Sequence, residues 1–368
     1  MQQMSDITPV TLITAEAGMS PLVHGGRAKC LQRLIRLGMP VPTTVALSFA
    51  AVGDIARGQL PDMAGILSHF DAAPLLSVRP SSLDPDWGGP GAILNIGLND
   101  ARHRALASEI GEDAATALYL RFVQSYAVHV ARLDPEAFDV PQEPNAAALR
   151  AALDAYEYET DEPFPQDVGD QLAEVLRSMA RAWDGTTARL LRQAKGAPAD
   201  AGLGLVVQAM ALGVGPGNCG SGVIQFIDEV TGERRIKGRY LAQSQGREAL
   251  ASGSGALYLT RDERGASVEE ELPDLFADLC RYGDLCRTRL REEMQVEFTI
   301  ERGRLAILDA VRVQRSSRAS VAVAVALAQD GVIPKEEAVM RVEPAALSEL
   351  LHRQVDPSAP RDILVRGI

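Results

Sequence analysis

"MQVEFTIERGRLAILDAVR", residues 294–312, holds two short apolar runs around a Glu-Arg-Gly turn. The two apolar runs flanking a tight turn read as the strands of a half-buried β-hairpin. Glu297 interrupts the first arm and Asp309 the second. A three-residue turn over Glu301-Arg302-Gly303, with Gly303 as its left-handed residue, makes cross-strand partners sum to an even number. Because strand side chains alternate between faces, Gln295, Glu297 and Asp309 then share one face. Two carboxylates and an amide on one face are either a solvated exterior or, inside a cleft, a set of hard oxygen ligands suited to magnesium on a nucleotide.

Upstream of the hairpin, "LGLVVQAMALG" (204–213), "GSGVIQFID" and "RRIKGRYLAQ" read as strands joined by glycine-rich turns, and "LPDLFADLCRYGDLCRTRLREE" (272–293) as a helix. Residues 101–196 keep a helical period throughout, clearest in "ATALYLRFVQSYAVHVARL" and "QLAEVLRSMARAWDGTTARLLRQA". Before that block, "KCLQRLIRLGMPVP" is an amphipathic helix stopped by Gly38 and Pro40, "TTVALSF" is a strand, and residues 73–100 read as strand, glycine-rich loop and short apolar segment. Downstream, residues 316–352 read as two helices and "ILVRGI" as a strand-like tail. The order defines an N-terminal α/β lobe (1–100), a helical insertion (101–200), a C-terminal lobe (201–315), a helical exit (316–352) and a linker (353–368) toward a missing domain. The fold class is mixed α/β and α+β, with two lobes around a ligand cleft.

Composition narrows the function. The 368 residues are 46% hydrophobic and 23% charged, with a formal net charge of −12, the balance of an ordinary globular protein. Nucleic-acid binding calls for a basic stripe that displaces counterions, and anionic membrane surfaces also favour basic faces; this acidic chain fits neither. Cys30, Cys219, Cys280 and Cys286 form no CxxC pair, which argues against a zinc site. Scattered thiols and the lack of a basic-then-apolar leader point to a cytoplasmic setting.

"HGGRAKCLQRLIRLGMPVP", "LLSVRP…GGPGAILNIGLND", "VVQAMALG", "GSGV", "TGE", "QVEFTIERGRL" and "KEEAVMRVEPAALSELLH" occur in an order and spacing that resembles the nucleotide-binding part of pyruvate, phosphate dikinase, a family of phosphoenolpyruvate-utilising enzymes. The resemblance implies an ATP-grasp fold holding ATP and Mg2+ between two lobes. It implies phosphoryl transfer to a histidine on a separate domain, on the same longer chain or another chain, on the way to pyruvate. None of the five histidines lies in a context like that phosphohistidine segment.

Carried over position by position, the resemblance makes Arg27 (where the family has a lysine) and Arg79 the phosphate-contacting, catalytic cations. It makes Gly88, Gly89 and Gly91 of "WGGPG" a phosphate loop, whose backbone N–H groups can cradle an anion, although such clusters in isolation are mostly turns. Residues Gln208 to Met210 become the strand under adenine, with backbone groups facing the base edge. Glu297, Asp309 and Gln295 become the metal set. The chain departs from the family at the hairpin, where acid and amide are exchanged between Gln295 and Asp309, and at Val311, where the family has an arginine. One cation so placed is worth ~10³–10⁵ in rate in related phosphoryl transfers. Further changes fall at residues 227–229, Arg239 and Arg247. Two functions follow: an ATP-binding phosphotransferase part, or a degenerate ATP-grasp domain without turnover that senses nucleotide or binds a partner.

Overall fold

The computed structural model describes residues 8–139, 144–245, 256–263 and 265–351, with nothing stated for the side chain of Ala345. The expected linker 353–368 and Arg247 lie outside these residues. The chain separates into two compact units: residues 1–224, 238–279 and 296–311 form one, and 225–237, 280–295 and 312–368 the other.

The first unit begins with β1 (Val10–Leu12), α1 (Pro21–Arg36), β2 (Thr44–Leu47), α2 (Phe49–Ala56), α3 (Met63–Leu67), β3 (Leu76–Ser82) and β4 (Ile93–Ile96). A helical block follows: α4 (Asp100–Ile110), α5 (Glu112–His129), α6 (Ala146–Thr160), α7 (Val168–Asp184) and α8 (Thr186–Ala194). Gly185 divides α7 from α8, so the apolar pattern that reads as one helix forms two. The chain then returns as β5 (Leu203–Ala209), which lies in the middle of a five-stranded sheet of order β1-β2-β5-β3-β4. The strand pairs β1–β2, β2–β5, β5–β3 and β3–β4 are antiparallel, with Val207 opposite both Val45 and Val78. The strand expected to open a C-terminal lobe is thus central to the first sheet. Buried on both sides, it reads as the continuous apolar run "LGLVV".

A second sheet has the order β7-β6-β8-β9, from β6 (Gly220–Ile227), β7 (Arg234–Ala242), β8 (Met294–Glu301) and β9 (Arg304–Arg312). Within the first unit β8 runs antiparallel to β6, pairing Glu297 with Val223. Leu47, Ile55, Leu76, Ile96, Leu172 and Val207 belong to one core. That core takes much of the chain's small aromatic content: Tyr126, Tyr156 and Phe122 all meet Phe164 edge-on, with ring centroids 5.2–5.6 Å apart, a geometry that adds to plain area burial.

The second unit carries a small core of Ile227, Val313, Val323, Leu327 and Ile333. Helices Ser317–Gln329, Lys335–Met340 and Pro344–Leu351 fill the span read as two helices. The helix Pro273–Leu285 widens into a π turn at Cys286–Leu290. In this unit Arg287 is held between Glu293 (2.7 Å) and Asp330 (2.6 Å). No helix among the described residues is long and apolar enough to cross a membrane.

Candidate functional site

The glycine pair before Arg27 sets up the site. Gly25 breaks α1 with φ 84° and ψ 170°, a region open in practice to glycine alone. A Cβ at Gly25 would lie 1.8 Å from the Ser81 carbonyl oxygen, so any side chain would push α1 off β3. The contact is fastened by the Ser81 hydroxyl, which donates to the His24 carbonyl (2.7 Å) and accepts from the Ala28 N–H (3.1 Å). This close approach lets the Arg27 guanidinium donate to the Pro80 carbonyl.

Both phosphate-assigned arginines meet a metal-assigned acid. Arg27 Nε donates to Asp309 Oδ2 at 2.8 Å. The Arg79 guanidinium donates to Glu297 in a two-pronged pair, Nη1 to Oε2 at 3.0 Å and Nη2 to Oε1 at 3.2 Å. Burial works against the Arg27 charge, but Asp309, with Glu297 behind it, outweighs that and raises its pKa. Arg79 is 8% exposed and Asp309 3%.

Arg79, Gln208, Met210 and Glu297 line one pocket that opens to solvent. Its wall also includes Ser77, Leu94, Ser221, Thr299, Leu308 and Gln245. The lining comes from both sheets, all of it from the first unit. Arg79 Nε is buried there with no hydrogen-bond partner. A buried unpaired N–H is costly, so this atom fits an acceptor arriving with a ligand.

The hairpin turn corrects the expected geometry. The strands end at Glu301 and resume at Arg304, and the two residues between, Arg302 (φ 49°) and Gly303 (φ 76°), are both left-handed. Two such residues make the tight turn that matches strand twist. Glu297 and Leu308 line the pocket together. Asp309 is not in that lining; it is buried beside Arg27, and its Oδ1 accepts from the Ala310 N–H at 2.9 Å. Asp309 meets Arg27 and Glu297 meets Arg79, and against the effect of burial both carboxylates favour the Arg27 charge. Gln295, counted in the second unit, donates through its amide to Gln225 Oε1 at 3.3 Å.

Other expectations also shift. The Met210 N–H, expected to face a base, donates to the Leu75 carbonyl (2.9 Å). Gln208 sits in the ladder between Thr44 and Ser77. Gly88, Gly89 and Gly91 are outside the pocket lining; Gly89 packs between Pro80 and the Trp183 ring. Arg312, adjacent to Val311, is exposed and ion-paired with Glu292 at 3.4 Å. Asp228 and Glu229 hold Lys237.

Gln245 is a lining residue that sequence reading missed. Its amide donates to the Ala211 carbonyl (3.0 Å) and accepts from the Gly213 N–H (2.6 Å), pinning the segment after β5. No local pattern in "AQSQG" signals that role. Among the described residues no group of three or more His, Cys, Asp or Glu side chains could hold a metal ion by itself. A magnesium ion arriving on a nucleotide needs only one or two carboxylates, a demand that Glu297 meets after release from Arg79 and Asp309 after release from Arg27.

These features define an α+β domain with a charged, partly apolar pocket between two antiparallel sheets. No family model matches the chain. It is similar, over nearly all its length, to proteins named pyruvate, phosphate dikinase: 30% identical to that of Rhizobium meliloti (strain 1021), over 94% of this chain and 43% of the relative. The Clostridium symbiosum protein is 28% identical over 91% of this chain and 42% of its own length. The chloroplastic pyruvate, phosphate dikinase 1 of Arabidopsis thaliana is 26% identical over 95% and 40%. The chain thus spans less than half the length of these relatives.

Proposed function

We propose that this chain is an ATP-grasp domain that binds MgATP in the pocket of the first unit and serves as the ATP-binding phosphotransferase part of a pyruvate, phosphate dikinase-like enzyme. The orphaned, buried Nε of Arg79 inside a pocket whose other charged wall is Glu297 carries this reading. An anion beside a divalent cation satisfies both groups at once: phosphate oxygens take the Arg79 N–H groups, and the cation takes the Glu297 carboxylate released by them. Gln208 and Met210 form the base-facing wall, Arg27 reaches the phosphates from α1, and Asp309 orients Arg27. The glycines at 88, 89 and 91 border the phosphates from the far side of Pro80. The acceptor is a histidine on another domain, from which the group passes on toward pyruvate.

A second reading has its own observation. Both arginines are already neutralised by carboxylates, and Val311 brings no charge to the same arm of the hairpin. A domain of this kind binds nucleotide without turnover and acts as a sensing or partner-binding module. Transfer of label from γ-labelled ATP to a supplied phosphohistidine domain separates the two. Labelled histidine supports the phosphotransferase. MgATP binding with no label above background supports the sensor.

A further inference from the structure

Sheet pairing along β5 runs out inside the pocket. The Ala209 N–H donates to the Thr43 carbonyl (2.8 Å) and the Met210 N–H to the Leu75 carbonyl (2.9 Å). Just beyond them, the Ala211 carbonyl and the Gly213 N–H are both taken by one side chain. The Gln245 amide donates to the first at 3.0 Å and accepts from the second at 2.6 Å. Ala211 and Gln245 both line the pocket, and Gln245 is 7% exposed. We propose that Gln245 is an internal competitor for the base of the nucleotide: its carboxamide occupies the backbone edge that a base would read, and the base must displace it. This rests on the pocket being a nucleotide site.

The chemistry of the edge selects the displacing group. A carbonyl and an N–H that one planar amide can satisfy together ask for a planar partner with a donor beside an acceptor. The 6-amino group and N1 of adenine present that order. A 6-oxopurine presents the reverse, with O6 toward the carbonyl and N1–H toward the N–H, and leaves buried polar groups unpaired. Gln245 carries the same donor and acceptor as adenine, so the two cannot hold the edge at once. Its release asks only for rotation of its own side chain between staggered wells. The backbone before it is held elsewhere: the Gln243 N–H donates to the Cys219 carbonyl (2.9 Å), and the Ser221 hydroxyl donates to the Ser244 carbonyl (2.9 Å). No covalent bond forms or breaks. The apparent affinity for adenine ligands is reduced by the fraction of molecules whose edge is open.

The test is calorimetric titration of the full chain with adenosine, inosine and MgATP, comparing the unaltered protein with Gln245→Ala and Gln245→Asn. Asparagine is one methylene too short to span both backbone groups, yet keeps a polar side chain should alanine loosen the segment. Both variants should bind adenosine and MgATP about tenfold tighter, equivalent to ~1.4 kcal/mol, and inosine no tighter. Gln243→Ala is the control: its amide clasps Gly215 through the N–H and the carbonyl, both at 2.9 Å, and it lies outside the pocket lining. That variant should leave adenosine affinity unimproved. An amide that only pins the segment after β5 would, when removed, lower the melting temperature and weaken or leave unchanged the binding of adenosine. That result overturns the proposal and leaves the pocket reading intact. Equal tightening of adenosine and inosine also overturns it, since removal would then only enlarge the pocket. Absence of adenosine and MgATP binding in the unaltered chain and in both Gln245 variants overturns the pocket reading together with the proposal.

Discussion

Replacing Glu297 by Gln separates the two duties given to that carboxylate. In the ligand-free protein it neutralises Arg79 across contacts of 3.0 and 3.2 Å, with side chains 9% and 20% exposed. Removing one partner of a fully buried pair costs ~3–5 kcal/mol. Glu297 retains some water, and the glutamine keeps one oxygen for Arg79, so a loss of about 1–3 kcal/mol is expected. Nucleotide binding should move the other way when metal is absent. A freed Arg79 gains charge-assisted hydrogen bonds of ~1.5–3 kcal/mol to phosphate, without first losing its carboxylate. Affinity for ATP in EDTA should therefore rise roughly 10- to 100-fold, while magnesium should no longer improve binding. Denaturant unfolding gives the first quantity; titration with ATP, with and without magnesium, gives the second. If metal-free ATP binds Glu297→Gln no better than it binds the unaltered protein, the idea that Arg79 is held back by Glu297 is refuted.

Two further outcomes follow from local geometry. Gly25→Ala forces a Cβ to within 1.8 Å of the Ser81 carbonyl oxygen in a backbone region glycine alone tolerates, so a loss of at least ~2 kcal/mol is expected; stability unchanged by denaturant unfolding would contradict this account of the α1–β3 contact. Asp228 is held down to about 2, first by the Thr231 and Val230 N–H groups and then by Lys237. Because its folded value lies below the ordinary aspartate value of 3.8, its contribution is complete above that value and fades as pH falls toward 2. Asp228→Asn should flatten the fall in melting temperature over that window, and an unchanged slope would count against it.

The hairpin shows how far sequence could reach. Its two arms were legible as short apolar runs, "VEFTI" and "LAILDAV", on either side of a turn signal, and both form strands. Its turn was not, because "ERG" suits either a three-residue loop or a two-residue one, and only the second puts Arg302 in the left-handed region. Asp309 meets Arg27, while Glu297 meets Arg79 and lines the pocket. The residue types of the site could be named in advance, since Arg79, Gln208, Met210 and Glu297 do line one cavity. Their pairing could not: the partners are separated by 282 and 218 positions, and no local period links them. The place of β5 was hidden for a similar reason. Its apolar run shows that it is buried, but not that it returns across the helical block to lie between β2 and β3. Gly25 was legible as part of a glycine loop, though the carbonyl it makes room for lies 56 residues further on, at Ser81.

The central claim is that MgATP occupies the pocket around Arg79, and calorimetric titration of MgATP into the unaltered chain and into Arg79→Met tests it most directly. Saturable binding at micromolar to millimolar MgATP, weakened at least tenfold in a variant whose circular dichroism is unchanged, is the predicted result. No heat of binding at millimolar MgATP, or an affinity that Arg79→Met leaves untouched, would contradict it.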